Sequence, residues 1–329
     1  MDKLDARVGV DLGGTKTEAV VVRSRADGSG SHEVLAKKRI PTAEADEDDD
    51  ARYERIVDAT RALIADVVKE AGLSAAPPIG LGMPGSTTLR ANDGSRSAQP
   101  LVKNSNTTCL NGRPFHADLV RAVGQPIAFA NDANCFALAE AVWGAAKSAR
   151  VSFGVIMGTG VGGGVIVRDG FDPSAKARAW EGAQGIAGEW GHVVLDPDTG
   201  PRCYCGRRGC IETYLSGPAI EGAYAARAGD GDSARSLPDI AELAKRGDAA
   251  AKALLAERMD LFGRAIANVL NVVDPDVVVL GGGVSNLDVL YTDGIAAASR
   301  WVFNDELRTK IVKNALGDSA GVLGAALLP

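Results

Sequence analysis

Between Gly188 and Glu212 the chain reads GEWGHVVLDPDTGPRCYCGRRGCIE, a stretch that holds three of its five cysteines and one of its three histidines. Cys203, Cys205 and Cys210 with His192 make up a Cys₃His set, the donors that a tetrahedral structural Zn²⁺ takes. The competing reading is a disulfide with a spare thiol. It fits less well, because three cysteines cannot all pair and the two thiols of a C-x-C rarely bridge each other. All four donors would come from the protein, leaving no open position for a substrate, so the expected metal is a structural clamp.

Other residues able to do chemistry stand beside glycine-rich turns. Asp11 lies at the mouth of VGVDLGGTKTEAVVV, where Gly13, Gly14 and Thr15 would let a phosphate approach the backbone closely. No GxxxxGK[ST] loop is present there, so this is not a Walker A turn. Asp132 follows Asn131 at the end of the short apolar run IAFA and opens a helical segment. A carboxylate in that place can be a helix N-cap and nothing more, or a general base at the edge of a cleft. The loop Val102 to Gly112 carries Asn104, Asn106 and Asn111, whose amides both donate and accept, as sugar hydroxyls require, although asparagine also favours turns for its own sake.

The elements that must hold these residues follow from periodicity. Apolar runs on either side of Gly13-Gly14 predict a β-hairpin, and the same design returns at Val151–Val167 around Gly158-Thr159-Gly160. A stripe of Ile56, Ala59, Leu63, Val67 and Val68 predicts a helix over about 52–71, and the acidic run Glu44 to Asp50 before it favours its N-terminus. Ile79–Gly85 reads as a buried strand ending in a Pro-Gly turn, and 218–271 as mostly helical. Val277–Leu280 is a buried strand emptying into Gly281-Gly282-Gly283-Val284-Ser285, the strand end where α/β folds bind ligands, and the small-residue tail 317–328 reads as a helix suited to close packing. The repeated hairpin predicts two related α/β domains facing a ligand cleft: 1–131, rejoined by the C-terminal helix 317–329, and 132–316, which carries the zinc loop 188–212.

At 329 residues the length suits two domains with ample core. The net charge of −6 argues against nucleic acid or an anionic membrane as the main partner. No apolar run reaches the ~18 residues of a membrane span, and MDKLDARVGVDLGG does not read as a signal peptide. Clustered thiols then favour a reducing compartment, so a cytoplasmic protein is expected. Cys109, Cys135, His32 and His116 read as packing, surface or loop residues without a chemical role.

DLGGTKTE, GMPGS, NDAN, GTGVGGG, GEWGH, CYCGRRGCIE and LGGGVSN, in this order, resemble the ROK sugar kinases, within the actin/hexokinase/Hsp70 ATPase fold. The likeness runs from Asp11 to Asn286. VKNSNTTCLNGRPF, CYCGRRGCIETYLSG and NVVDPDVVVLGGGVSN look most like the bacterial fructokinase branch, although Cys109 stands where many members carry an aromatic residue. The resemblance implies a two-domain actin-like architecture and ATP-dependent phosphorylation of a hexose, fructose to fructose 6-phosphate. A glucokinase, mannokinase or N-acetylglucosamine kinase of the same family is the alternative. A sugar-sensing repressor is a remote one, since only ten residues precede Asp11 and a DNA-reading helix-turn-helix needs more.

Carried over by motif, the resemblance makes Asp132 the catalytic base and Asn106, Asn131, Glu189, His192 and Glu212 the sugar contacts. Asp11 would position Mg²⁺. Gly13, Gly14, Thr15, Lys16, Thr159 and Gly160 would line the ATP phosphates, and Gly282, Gly283 and Ser285 the nucleoside. His192 would link metal and sugar, one ring nitrogen on Zn²⁺ and the other on a sugar hydroxyl. A homodimer is the expected assembly.

Overall fold

Both halves of the chain build a sheet in which one antiparallel hairpin is extended by parallel strands. The computed structural model describes residues 6–24, 32–42, 48–88, 99–170, 172, 175–228 and 235–328. Two compact units emerge: residues 1–147 with 177–187 and 316–329, and residues 148–176 with 188–315. The division falls after Lys147 rather than after Asn131, because the helix that follows Asn131 packs onto the C-terminal helix within the first unit.

In the first unit, β1 (Ala6–Leu12), β2 (Lys16–Ser24) and β3 (His32–Pro41) form an antiparallel meander. Helix α1 (Asp49–Glu70) follows, capped by Asp48, whose carboxylate accepts from the Asp50 and Ala51 N–H groups. The acidic run therefore serves the helix start as expected, with Glu44 to Glu47 lying outside the described residues. Tyr53, Ile56, Leu63, Ile64 and Val67 make its buried stripe. Then come β4 (Ile79–Met83), the short pair β5 (Ser86–Thr87) and β6 (Val102–Lys103), α2 (Phe115–Val123), β7 (Ile127–Asn131) and α3 (Asp132–Val142). The sheet order is β3-β2-β1-β4-β7, with β4 parallel to β1 and β7 parallel to β4.

In the second unit, β8 (Val151–Met157) and β9 (Val161–Arg168) repeat the hairpin. A short strand β10 (Ala177–Ala179) belongs to the first unit's residues. Helices α4 (Glu212–Leu215), α5 (Gly217–Ala228), α6 (Leu237–Lys245) and α7 (Ala249–Val273) precede β11 (Val277–Gly281). Then α8 (Asp293–Ser299) and β12 (Lys310–Lys313) complete the unit. Strands β9-β8-β11-β12 are neighbours in that order, the last two joins parallel. The order β2-β1-β4-β7 is thus repeated as β9-β8-β11-β12, which is the duplication that the paired glycine turns predict.

The C-terminal segment is a 3₁₀ turn, Gly317–Ser319, followed by α9 (Ala320–Ala325), shorter than the helix expected over 317–328. Gly317 opens the turn at φ +61. This helix lies on the first sheet at very close range. A Cβ at Gly9 would stand 2.7 Å from the Ala326 nitrogen, and one at Gly80 would be 2.9 Å from the Ala325 carbonyl carbon. Small residues on both surfaces are what permit that approach. Buried Glu140 of α3 fastens the same corner, accepting from Ala145 N–H at 2.8 Å and Leu316 N–H at 2.9 Å.

Candidate active site

In the first unit the hairpin tip carries Gly13, Gly14, Thr15 and Lys16, the last three exposed. Gly13 N–H donates to the Lys16 carbonyl at 3.0 Å. Thr42 braces the tip from the end of β3: its hydroxyl donates to the Gly13 carbonyl at 2.7 Å and its N–H to that of Thr15 at 3.0 Å. At the base of the tip, Asp11 stands opposite Glu18 in the strand register. Glu18 is buried and compensated by Lys37 at 3.2 Å and Arg39 at 2.8 Å. Burial pushes the Asp11 carboxyl up to about 6, helped by the Glu18 charge and opposed by Lys16 and Arg39. A carboxylate so placed is stabilised by an added cation.

The asparagine loop sorts into two classes. Asn111 ties the loop to itself, accepting from Ser105 N–H at 2.9 Å and donating to the Ser105 carbonyl at 2.8 Å. Asn104 takes φ +59, the left-handed conformation asparagine tolerates. Asn106 is exposed, and its Oδ1 lies 4.0 Å from where a Cβ on Gly14 would stand. The loop therefore brings Asn106 to the Gly13-Gly14 hairpin.

At the end of β7 the helix cap falls to Asn131, whose Oδ1 accepts from Ala133 N–H at 2.9 Å, while its Nδ2 donates to the Gly85 carbonyl at 2.9 Å. Asp132 is the first helical residue, half-buried, with Oδ1 also 2.9 Å from Ala133 N. Asp132 is thus not needed as the cap. His32 and His116, expected at the surface or in loops, are partly buried in β3 and α2. They stack on Trp143 and Phe129 at 4.2 Å and 4.0 Å.

In the second unit the turn at Gly158-Thr159 and the residues just past the end of β11, from Gly283, border one groove. It is lined by Gly158, Thr159, Pro218, Pro238, Gly283 and Asn286, among others. Gly282 takes φ +78, and a Cβ there would stand 2.6 Å from the Met157 carbonyl carbon, so only glycine fits. Ser285 is buried and donates its hydroxyl to the Gly282 carbonyl at 2.7 Å; Asn286, not Ser285, lines the groove. Glu212 begins α4, and its Oε2 accepts from Val161 N–H at 2.9 Å, beside Gly160.

The cysteine stretch folds on two antiparallel bridges, Val194 with Cys210 and Arg202 with Arg208. Donor atoms of His192, Cys203, Cys205 and Cys210 all lie within 4.8 Å of one another. Cys205 and Cys210 sulfurs are 3.6 Å apart, and Cys203 Sγ is 3.6 Å from His192 Nδ1. At Zn–S of about 2.3 Å and Zn–N of about 2.0 Å, tetrahedral edges are about 3.8 Å and 3.5 Å, so the donor set fits this metal. The thiols are free, which removes the disulfide reading. Burial raises the Cys203 thiol and pushes Cys210 up to about 12, while Cys205, against its burial, is lowered by hydrogen bonds from the Arg207 backbone and the neighbouring thiols. Nδ1 faces the sulfurs, and Nε2 meets the Tyr204 hydroxyl at 2.9 Å. A ligand reaching His192 from that side must displace or join Tyr204. Glu189 immediately precedes the 3₁₀ turn Trp190–His192, which is pinned by Trp190 Nε1 donating to the Ala265 carbonyl at 3.1 Å.

The ROK family model matches residues 7–329. The chain belongs to the ROK family. The N-acetyl-D-glucosamine kinase of Vibrio vulnificus (strain YJ016) is 32% identical over 97% of this ROK chain and 98% of the relative. Among solved structures, the ROK hexokinase of Thermus thermophilus is 30% identical with a TM-score of 0.76, covering 98% of this chain and 97% of that one. A ROK glucokinase of Streptomyces griseus, solved with glucose and AMPPNP, is 28% identical with a TM-score of 0.74, covering 98% of each chain. The actin-like ATPase fold follows from these matches and from the repeated sheet order. Among the described residues of this ROK chain, no helix is long and apolar enough to cross a membrane.

Sequence reasoning missed Thr42, Tyr204 and Asn286, each brought to the site from another element or turned toward it by local geometry. For Asn286 a signal existed: in GGGVSN a 3₁₀ turn after the glycines buries one of two adjacent polar residues and exposes the next.

Proposed function

We propose that this ROK protein is an ATP-dependent hexose kinase whose preferred sugar is N-acetyl-D-glucosamine and whose product carries the phosphate on the 6-hydroxyl. The observation that carries this reading is the full-length likeness to N-acetyl-D-glucosamine kinases, 32% identical in the Vibrio vulnificus enzyme. The fructose expectation rests on three loop stretches alone, and none of the relatives reported above has fructose in its name. The amino sugar therefore replaces fructose as the proposed substrate.

Asp132 receives the proton of the sugar hydroxyl as that oxygen attacks the γ-phosphoryl group. In a loose transition state the hydroxyl is deprotonated late, so Asp132 needs position more than a raised pKa, and its place on the first turn of α3 fixes that position. Asn106, Asn131, Glu189, His192 and Glu212 hold the sugar hydroxyls. Gly13, Gly14, Thr15, Lys16, Thr159 and Gly160 receive the phosphates, and the groove at Gly282, Gly283 and Asn286 the nucleoside. Asp11 would hold Mg²⁺, which neutralises phosphate charge when bound. His192, Cys203, Cys205 and Cys210 would hold Zn²⁺, which fixes the loop carrying Glu189 and Glu212 when bound.

The test is a coupled ADP-release assay with N-acetylglucosamine, glucose, mannose and fructose. N-acetylglucosamine is expected to give the highest kcat/KM, by tenfold or more. A higher value for fructose or glucose would overturn the substrate assignment.

A further inference from the structure

Gly321, the second residue of α9, is a glycine that its own backbone does not require. Its φ lies outside the left-handed region, and alanine is the better residue inside a helix. What excludes a side chain there is Asp11. A Cβ at Gly321 would stand 2.7 Å from Asp11 Oδ2, 3.2 Å from its Cγ and 3.6 Å from its Oδ1, and these are the nearest heavy atoms outside the helix itself. A Cβ does not approach an oxygen to 2.7 Å, so either the helix or the carboxylate must give way.

The helix is the part that cannot. One turn on, Gly324 lies against the backbone of Cys135, where a Cβ would stand 2.9 Å from the Cys135 Cα. The end of the same helix is pressed on the backbone of Gly9 and Gly80. These are backbone-to-backbone contacts, which have no rotamer to relax into. Asp11, by contrast, can turn about its side-chain torsions, so a methyl at position 321 moves the carboxylate and leaves the helix in place. Gly321 and Gly324 are three residues apart and so share one face of α9. That face meets Asp11 on one side and, on the other, the first turns of α3, which begins at Asp132. All of these residues belong to the first unit.

Resting on the assignment of Asp11 to Mg²⁺, we propose that Gly321 is a positioning residue for that carboxylate: the bare face of α9 sets where the Asp11 oxygens lie relative to the start of α3.

Two measurements on Gly321→Ala test this. The first uses initial rates with whichever sugar the wild-type protein turns over fastest, so that it does not depend on the substrate assignment. The Mg²⁺ concentration for half-maximal rate is expected to rise about tenfold and kcat to fall ~10–10²-fold at unchanged sugar KM, since misplacing a group by about 1 Å costs up to 10²-fold. A loss of folded protein alone would not move the Mg²⁺ dependence. The second measurement needs no turnover: thermal unfolding, without added Mg²⁺, of the wild-type protein, Gly321→Ala, Asp11→Ala and the double variant. In the Asp11→Ala background Gly321→Ala is expected to raise Tm by about 1–2 °C, the gain of alanine over glycine in a helix. With Asp11 present the same substitution is expected to lower Tm. Equal shifts in the two backgrounds, or an unchanged Mg²⁺ dependence in folded Gly321→Ala, overturn the proposal. If Gly321→Ala does not fold by itself, a folded double variant supports the contact and an unfolded one overturns it. Wild-type Mg²⁺ dependence in Asp11→Ala overturns the assignment of Asp11 to the metal, and the positioning role with it, whatever the Tm values show.

Discussion

At the scale of single residues, Asp132 and Asp11 are both carboxylates near strand ends, and their surroundings separate their roles. Asp132 opens a helix already capped by Asn131. Asp132→Asn keeps the shape and removes the proton acceptor, so turnover is expected to fall ~10²–10⁴-fold with little change in sugar KM. Near-normal turnover in the folded variant would remove Asp132 from the chemistry. Asp11 is different, because the fold raises its carboxyl from 3.8 to about 6. The metal-free folded state therefore holds this proton more tightly than the unfolded chain does. The associated stability is present below the unfolded pKa and is lost as pH rises through about 6. Asp11→Asn should thus stabilise the metal-free protein at pH 7.5 by on the order of 1–2 kcal/mol, after discounting for partial exposure, with the gain vanishing near pH 4. Urea unfolding at the two pH values measures it, and an equal effect at both would show that the Asp11 charge is not the cause. Turnover of the same variant is expected to collapse.

At the scale of elements, the clustering in the cysteine loop and the glycine turns are where the sequence is most legible. His192, Cys203, Cys205 and Cys210 converge because two antiparallel bridges close a short loop, and spacing alone carries that information. Cys203→Ala and Cys210→Ala are each expected to lose about one zinc per chain and sugar affinity together. Metal analysis with a sugar titration reads both, and a zinc-free variant with normal sugar affinity would uncouple them. The hairpins at Gly13-Gly14 and Gly158–Gly160 and the β7–α3 junction are equally legible, each being local in sequence. Less legible are contacts that depend on which way a turn faces: Ser285 inward and Asn286 outward, Tyr204 against His192, and Thr42 under the Gly13 turn. Gly282 marks the point where backbone geometry decides. Gly282→Ala places a Cβ against the Met157 backbone at positive φ, so a cost of about 1–3 kcal/mol and a raised KM for ATP are expected. Thermal unfolding and initial rates at varied ATP check both, and an unchanged KM would detach this turn from the nucleotide.

At the scale of the whole molecule, the duplicated design is legible in the amino-acid order itself, since an apolar–glycine–apolar hairpin opens each half. The repeated strand order β2-β1-β4-β7 and β9-β8-β11-β12 is its counterpart in the fold. The position of the break is hidden from the sequence, because α3 stays with the first unit through its packing on α9, a contact between segments far apart along the chain. Substrate identity is the hardest to read. It depends on few atoms, and the motifs that mark the family are shared by kinases of different sugars. The central claim is transfer of the ATP γ-phosphoryl group to the 6-hydroxyl of an N-acetylhexosamine with Asp132 as base. It is tested most directly by incubating the purified protein with ATP, Mg²⁺ and N-acetylglucosamine and identifying the product by NMR. The account predicts N-acetylglucosamine 6-phosphate formed in step with ADP, and almost none from Asp132→Asn. Phosphate on a different hydroxyl, or ADP released without any sugar phosphate, would contradict it.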